Sequence, residues 1–525
     1  MSSRPPGKSD RRVLLIGLDS ADAELIEQWM EAGAMPAFRA LRENGMWSRL
    51  GTTAEVMHVS AWPTLYTGTT PGQHGLYHAY QITAGAQEIH RAYPETAGRP
   101  PFWKYLDDAG RKCVILDAFM NYRLEGFKGV QILDYGTWTW FGEPGSTPRG
   151  MLNDIKRRFG PYPAPEHSNC VKVPDDPLAF RDQLVAGTEV KSKVVRSLMG
   201  EQNWDFMFVT FGEPHGAGHY LWHVEDGAYP SHPASGPLSV AHPVRDVYTA
   251  LDKAIGEIVA AADDNTTVII TSGDGMGPNY SGCHLMPEML HKMGLFYSGS
   301  VGGGDRKATA APKKGLLSSL RQAVPLELRQ SVTRCLPRSL RYKISMKWVN
   351  SGIDWSRSKV FCIPNSNEGY FRVNLSGREP QGIVRAGTEY DEILGRLTEE
   401  LNTMVNPVNG MRAPERVARV DDVFSGPRRK NLPDAVISWN LDARVTDQVS
   451  TADVGRIAGP AGHAISPFYT GNHRATAFAL ARGPKIASDG SLDRGHILDI
   501  APTILGLLGV DAPAHFEGRA WPSFL

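Results

Sequence analysis

Net charge is the first thing this chain lacks. Its 56 lysines and arginines are matched by 56 aspartates and glutamates over 525 residues, so no field of one sign draws it to nucleic acid or an anionic membrane, and charge recognition has to be local. Cysteine is scarce too. Cys113, Cys170, Cys283, Cys335 and Cys362 are odd in number, scattered and without CxxC spacing, which argues against a disulfide framework or a thiolate metal site and fits a reducing cytoplasm. A long apolar run is also missing. Met1 to Arg12 is polar and carries Pro5 and Pro6, and the apolar stretch behind it is too short for a secretory segment or a membrane span. A disordered tip over residues 1–11 is therefore expected, then a strand. Internal repeats are absent.

What is present is an alternation of strands and helices. Val13-Leu-Leu-Ile-Gly-Leu-Asp19 reads as a buried strand ending on a carboxylate, and Ala23-Glu-Leu-Ile-Glu-Gln-Trp as the helix after it. Cys113 to Asp117, Phe206 to Phe211 and Thr267 to Thr271 read as further strands, and Pro243 to Ala262 as a helix between them. The pattern predicts an α/β fold, a three-layer α/β/α sandwich around a mostly parallel sheet, in which ligands sit beyond the carboxyl ends of the strands. The length exceeds one ordinary core, so the core is placed at 12–300 and 438–525, with an inserted helical and α+β cap over 301–437. Within the insert, Gly302 to Lys347 turns basic, with Arg321, Arg329, Arg334, Arg338 and Arg341, and reads as a solvated helix pair packed on the core, a substrate lid or a contact for an acidic surface.

Four clusters carry potential chemistry. Gly17-Leu-Asp19-Ser-Ala-Asp22 offers a strand-end carboxylate that suits a divalent cation, or a helix cap. The stretch from Met57-His58-Val-Ser60 through Thr67-Gly68 to His74-Gly75 is a polar turn, a helix and a Gly/Pro-rich loop, and either positions a nucleophile at a helix start or is architectural. Glu213-Pro-His215-Gly-Ala-Gly-His219 places two histidines four apart with small residues between, so both can reach one cation; His223 reads as a surface or supporting residue. Ser272-Gly273-Asp274-Gly275-Met276 and Gly471-Asn472-His473-Arg474 add an acid and an imidazole beside strands.

Together with Asn374-Leu-Ser-Gly-Arg-Glu379, the closing Asp499-Ile-Ala-Pro-Thr-Ile-Leu-Gly-Leu-Leu-Gly509 and Gly518-Arg519, these strings resemble the alkaline phosphatase superfamily, and most closely its type I phosphodiesterase and nucleotide pyrophosphatase branch. The resemblance implies a two-ion hydrolase. It makes Asp19 a ligand of the nucleophile-side ion, and His219 and His473 ligands of the other. Departures from the family pattern are specific. His215 stands where an acidic ligand is usual, and Ser272-Gly273-Asp274-Gly275-Met276 replaces Ser-Asp-His-Gly-Met. His58 occupies the place of the usual Thr or Ser nucleophile. His58 is then a ligand beside Asp19 and Asp274, or it attacks phosphorus itself, or Ser60 attacks instead. His284 reads as a further ligand, an acid for the leaving group, or a helix cap.

The expected function is metal-dependent hydrolysis of a phosphate ester, a phosphodiester or nucleotide-like molecule, by a metal-activated nucleophile or hydroxide. One or two divalent ions are expected, zinc first, with iron or manganese the alternatives. Competing readings are a metalloenzyme of other chemistry (phosphoryl transfer, lyase or redox at a three-histidine ion) and a catalytically silent relative. Tyr135, Trp138, Trp140, Trp222 and Arg474 are candidates for the substrate pocket. The partners expected are a small anionic ester and at most a second copy of the chain as a homodimer, with no nucleic-acid polymer and no membrane span.

Overall fold

A computed structural model describes residues 11–136, 144–164, 174–298, 350, 353–459, 469–488 and 490–525. Trp138, Trp140, Cys170, Cys335, residues 1–10 of the expected tip and the basic insert of 302–347 lie outside them. The central sheet has eight strands: β1 (Arg12–Leu18), β2 (Met46–Leu50), β3 (Cys113–Leu116), β4 (Val130–Leu133), β5 (Gly145–Thr147), β6 (Phe206–Phe211), β7 (Thr266–Ser272) and β8 (Ala477–Arg482), in the order β2-β8-β7-β1-β6-β3-β4-β5. The run from β7 to β4 is parallel, and β8, β2 and β5 are antiparallel additions at its flanks.

Because successive side chains of a strand point to opposite faces, a sheet covered on both sides must be apolar at every position. Strand β1 shows this directly. Leu14, Ile16 and Leu18 belong to one buried cluster, and Val13 and Leu15 to the other. The first cluster takes in Leu184 and Val195 of α2 (Pro177–Glu201) and Val247 and Ile255 of α4 (Pro243–Ala260). The second takes in Trp62 and Leu65 of α1 (Ala61–Thr67). This is the expected three-layer arrangement.

A second, antiparallel sheet of four strands orders Val360–Ile363, Gly369–Val373, Ala435–Trp439 and Pro414–Arg419, and packs on the helix Thr388–Asn402. Its strand Ala435–Trp439 spans residue 437, and Val445, Val449 and Ile457 share its core. None of the described helices is long and apolar enough to cross a membrane.

The loop from Thr67-Gly68 to His74-Gly75 is architectural. Gly68 and Gly75 have φ of 63° and 82° and close the helices Ala61–Thr67 and Pro71–His74 in the left-handed region. A Cβ on Gly72 would lie 2.1 Å from the carbonyl oxygen of Ser425, so glycine lets the core touch the cap. His74 is fully buried, accepts from the Leu76 N–H at Nδ1 (3.0 Å), and therefore carries its proton on Nε2, 3.1 Å from Thr64 Oγ1.

Burial holds the His74 imidazole down at about 3, against 6.5 for an exposed ring. Below that ordinary value the unfolded chain binds a proton that the folded chain refuses, so stability falls as pH drops, by at most about 1.4 kcal/mol per pH unit. Replacing His74→Gln is expected to lower the urea midpoint at neutral pH but to make its decline between about pH 6.5 and pH 5 shallower by close to one proton's worth. Urea titrations across that range check this; an unchanged slope contradicts it.

Candidate metal centre

The site assembles at the carboxyl edge of the parallel strands. Asp19 follows β1, and its Oδ1 accepts from Trp62 Nε1 at 2.8 Å. Trp62 can lie close over β1 to reach it because residue 17 is glycine: a Cβ there would sit 2.5 Å from the indole ring. The next residue, Ser20, has φ 55°, a sparsely populated conformation for a non-glycine residue of the kind retained at functional sites. Its Oγ donates to Asp274 Oδ2 (3.3 Å) and lies 3.2 Å from His473 Nδ1. Asp274 follows β7, and His473 lies on the strand Gly471–Arg474, which pairs antiparallel with Gly275–Pro278.

His215 and His219 share one face of α3 (Glu213–Glu225), which begins two residues after β6 ends. The small residues between them have a mechanical use. A Cβ on Gly218 would meet Met276 Cγ at 2.5 Å, and a Cβ on Gly471 would meet the Gly218 carbonyl oxygen at 2.1 Å. Two glycines thus let α3 and the His473 strand approach at backbone distance. One nitrogen each from His215, His219 and His473 come within 4.8 Å of one another, and the ring centroids are 4.5, 4.9 and 5.2 Å apart. Among the described residues no other set of three acidic, histidine or cysteine donors does so.

Each of these rings has an acceptor behind it. His219 Nδ1 donates to the Gly471 carbonyl oxygen at 2.9 Å, since a carbonyl can only accept. His473 Nδ1 is 2.7 Å from Asp274 Oδ2, and His215 Nδ1 is 3.4 Å from Asp19 Oδ2. Rings protonated on Nδ1 carry the lone pair on Nε2, the arrangement that supports a metal-ligating histidine.

Electrostatically the group is ill at ease alone. Burial, only partly countered by the Trp62 hydrogen bond, lifts the Asp19 carboxyl to about 7. Burial and then the neighbouring Asp19 push Asp274 well above the usual carboxylate range, and its Oδ1 is buried with no hydrogen-bond partner. Burial and then the surrounding His58, His219 and His215 push His473 well below the usual imidazole range. The carboxylates resist ionisation and the imidazole resists protonation, while a divalent cation satisfies both; three nitrogen donors with carboxylates behind them fit zinc.

Asp19, His58, His215, His219, Asp274 and His473 line one pocket of about 60 Å³, walled also by Trp62, Phe119 and Tyr469. His58 stacks on His473 with centroids 4.1 Å apart. Other expectations need correction. Ser60 is fully buried and spends its hydroxyl on Met57 O (2.6 Å) and Thr53 Oγ1 (2.8 Å), so it braces the turn and does not face the pocket. His284 is exposed on the 3₁₀ turn Cys283–Leu285 and lines neither this pocket nor its neighbour. Trp222 packs with Tyr229, Met276 and Tyr280 as core, and Tyr135 is buried in the main cluster. Arg474 lies not in the metal pocket but in the adjoining groove of about 700 Å³, paired with Glu24 (2.8 Å) and Asp22 (3.7 Å). The sequence reading missed Glu368, which contacts His58 from the cap; nothing local in Asn365-Ser-Asn-Glu368 signals a partner 310 residues away. Its burial would raise the carboxyl, but His58 and the surrounding donors more than offset this and hold it at about 2.

The sequence profile described as type I phosphodiesterase / nucleotide pyrophosphatase matches residues 13–343. A comparison with curated proteins finds no match. Among solved structures, phosphonoacetate hydrolase from Sinorhizobium meliloti is similar in its complex with phosphonoformate, at 12% identity and TM-score 0.51, covering 94% of this chain and 95% of that one. The same enzyme with phosphonoacetate gives TM-score 0.50 at 12% identity and the same coverage. Human ectonucleotide pyrophosphatase / phosphodiesterase 5 aligns over 96% of each chain at 13% identity, with TM-score 0.46. At 12% identity the two phosphonoacetate hydrolase structures establish the shared fold alone.

Substituting Gly471→Ala forces α3 and the His473 strand apart. The expected result is at least a tenfold loss of zinc affinity, roughly the size of a second-shell defect, with a destabilisation of about 1–3 kcal/mol from overpacking. Calorimetric zinc titration and thermal unfolding measure both; wild-type affinity in the variant contradicts the geometry.

Proposed function

The chain belongs to the type I phosphodiesterase / nucleotide pyrophosphatase family and is a metal-dependent hydrolase of phosphate esters, and from that premise we propose that hydrolysis takes place at an ion held by His215, His219 and His473. The observation that carries this is the convergence of the three rings, each with an oxygen acceptor behind its Nδ1, in a pocket with two buried carboxylates. Asp274 and Asp19 then act by orienting His473 and His215 and by balancing the ion's charge. Zinc suits the donor set best, with iron or manganese the alternatives. When bound, the ion supplies positive charge to a phosphoryl oxygen as negative charge builds there.

The protein's own groups do the rest. Trp62, Phe119 and Tyr469 wall the small pocket and limit water around the reacting phosphorus. The wider groove beside it, shared between core and cap and bordered by Tyr280, Asn367, Arg416, Trp439 and Arg474, takes the organic part of a small anionic ester, a phosphodiester or nucleotide-like molecule. The four-stranded antiparallel sheet with its helix Thr388–Asn402 acts as the cap over the catalytic core. His58, on the pocket wall at the position where the family resemblance implies a Thr or Ser, is the nucleophile. Cys113, Cys283 and Cys362 are free thiols, which supports a cytoplasmic setting. The family favours hydrolysis over other metallochemistry and over a silent scaffold.

Purified protein assayed for metal and for turnover of chromogenic phosphate diester, phosphate monoester, phosphonate and sulfate tests this reading. Zinc-dependent cleavage of a phosphate ester, abolished by chelation and restored by zinc, is expected; zinc-loaded protein inert towards all four contradicts it. Asp274→Asn should keep the fold and lower metal affinity or activity about 10–100-fold.

A further inference from the structure

The cap does more than cover the groove. Glu368 lies just before the strand Gly369–Val373 and is 1% exposed. Its Oε1 accepts from the backbone N–H of His58 (3.0 Å) and from Asn367 Nδ2 (3.1 Å). Its Oε2 accepts from Asn365 Nδ2 (2.9 Å) and Tyr370 OH (3.1 Å). Both oxygens are within hydrogen-bond distance of His58 Nδ1, at 2.9 and 2.8 Å. A carboxylate surrounded by that many donors is held as an anion and has little capacity left for a metal ion. Because it can only accept, Nδ1 of His58 carries the proton, and the lone pair of the ring lies on Nε2.

For a second ion the ligand set is incomplete. Gly273 brings no donor, and a Cβ there would stand 2.9 Å from Ala61 Cβ. Asp274 Oδ2 is taken up by His473 and Ser20, Asp19 Oδ1 by Trp62, and Asp19 Oδ2 lies 3.4 Å from His215 Nδ1, which leaves Asp274 Oδ1 as the single oxygen of the two carboxylates without a partner. His58, Asp19 and Asp274 line one pocket, yet their donor atoms do not form a group within 4.8 Å as the three histidines do.

Resting on the hydrolase reading above, we propose that Glu368 is a positioning residue supplied by the cap, and that the Glu368–His58 pair replaces a second cation in a one-ion enzyme that passes through a phosphohistidine. The Nε2 lone pair of His58 forms a bond to phosphorus as the bond to the leaving oxygen breaks; that oxygen keeps the electron pair and takes a proton from solvent. The modified ring, still protonated on Nδ1, is an imidazolium, and the Glu368 carboxylate beside it balances the charge that attack creates. Water then forms a bond to phosphorus, the N–P pair returns to Nε2, and the proton released by water goes to solvent. A hydroxyl nucleophile needs its proton removed, which is the task of a second ion; a neutral imidazole does not.

Three readouts on the zinc-loaded full chain test this. Zinc quantification should give one equivalent. Hydrolysis of a chiral phosphorothioate diester should proceed with retention at phosphorus, because two in-line displacements occur, and acid-labile, base-stable label from a phosphorus-labelled diester should map to His58. Glu368→Gln should keep its zinc and its KM and lose about 10²–10⁴-fold in kcat. Inversion at phosphorus, two zinc equivalents with one lost in His58→Ala, loss of zinc in Glu368→Gln, or unchanged kcat in that variant each overturn the proposal. Should Glu368→Gln fail to fold, Tyr370→Phe removes a single donor from the carboxylate and is read the same way, with a smaller fall in kcat at constant KM. Inertness of the wild type towards every ester defeats the parent reading as well; hydrolysis with inversion defeats only this one.

Discussion

Burying Asp19 and Asp274 beside His215, His219 and His473 demands a positive charge that none of these side chains supplies. Charge on a carboxylate without water around it is expensive, and so is a proton on an imidazole already surrounded by imidazoles. A bound cation removes both difficulties at once. The geometry around the three rings follows from that demand. Each Nδ1 is set against a backbone or carboxylate oxygen, and the two glycines at 218 and 471 bring helix and strand close enough for one ion to be shared. The strained Ser20 turn and the Gly17 notch that admits Trp62 place Asp19 and Asp274 behind the rings they support.

The second constraint is the seam between core and cap. Core residues bring the ion-binding set, but the partner of His58 comes from the loop ahead of a cap strand, and Gly72 meets Ser425 of the cap at backbone distance nearby. A fold of this kind separates two tasks. The parallel sheet sets the three-histidine cluster and its two carboxylates beyond the ends of β1, β6 and β7, where such sheets gather their sites. The insertion fixes the group that faces it and shapes the groove for the rest of the substrate.

Much of this was legible in the chain itself. Strands such as Phe206–Phe211 and Thr266–Ser272 are continuous apolar runs because both faces are covered, and that signal survives without context. The two histidines four apart with small residues between them announced a pair on one helix face, because helical spacing and small side chains are local properties. Pairings across the fold were not legible. That Ser60 turns away from the pocket is decided by the Met57 carbonyl and Thr53 Oγ1, which take up its hydroxyl, and Glu368 meets His58 across 310 residues of chain. Trp222 looked like a stacking surface because an indole's sequence neighbours do not reveal which side of the helix is buried.

Anomalous diffraction from crystals grown with zinc tests the central claim most directly. The account predicts one anomalous peak per chain, about 2.0–2.1 Å from a ring nitrogen of each of His215, His219 and His473, with Asp274 and Asp19 hydrogen-bonded to the rings behind it. A zinc-saturated crystal with no peak at those rings, or with its peak elsewhere in the chain, would contradict it.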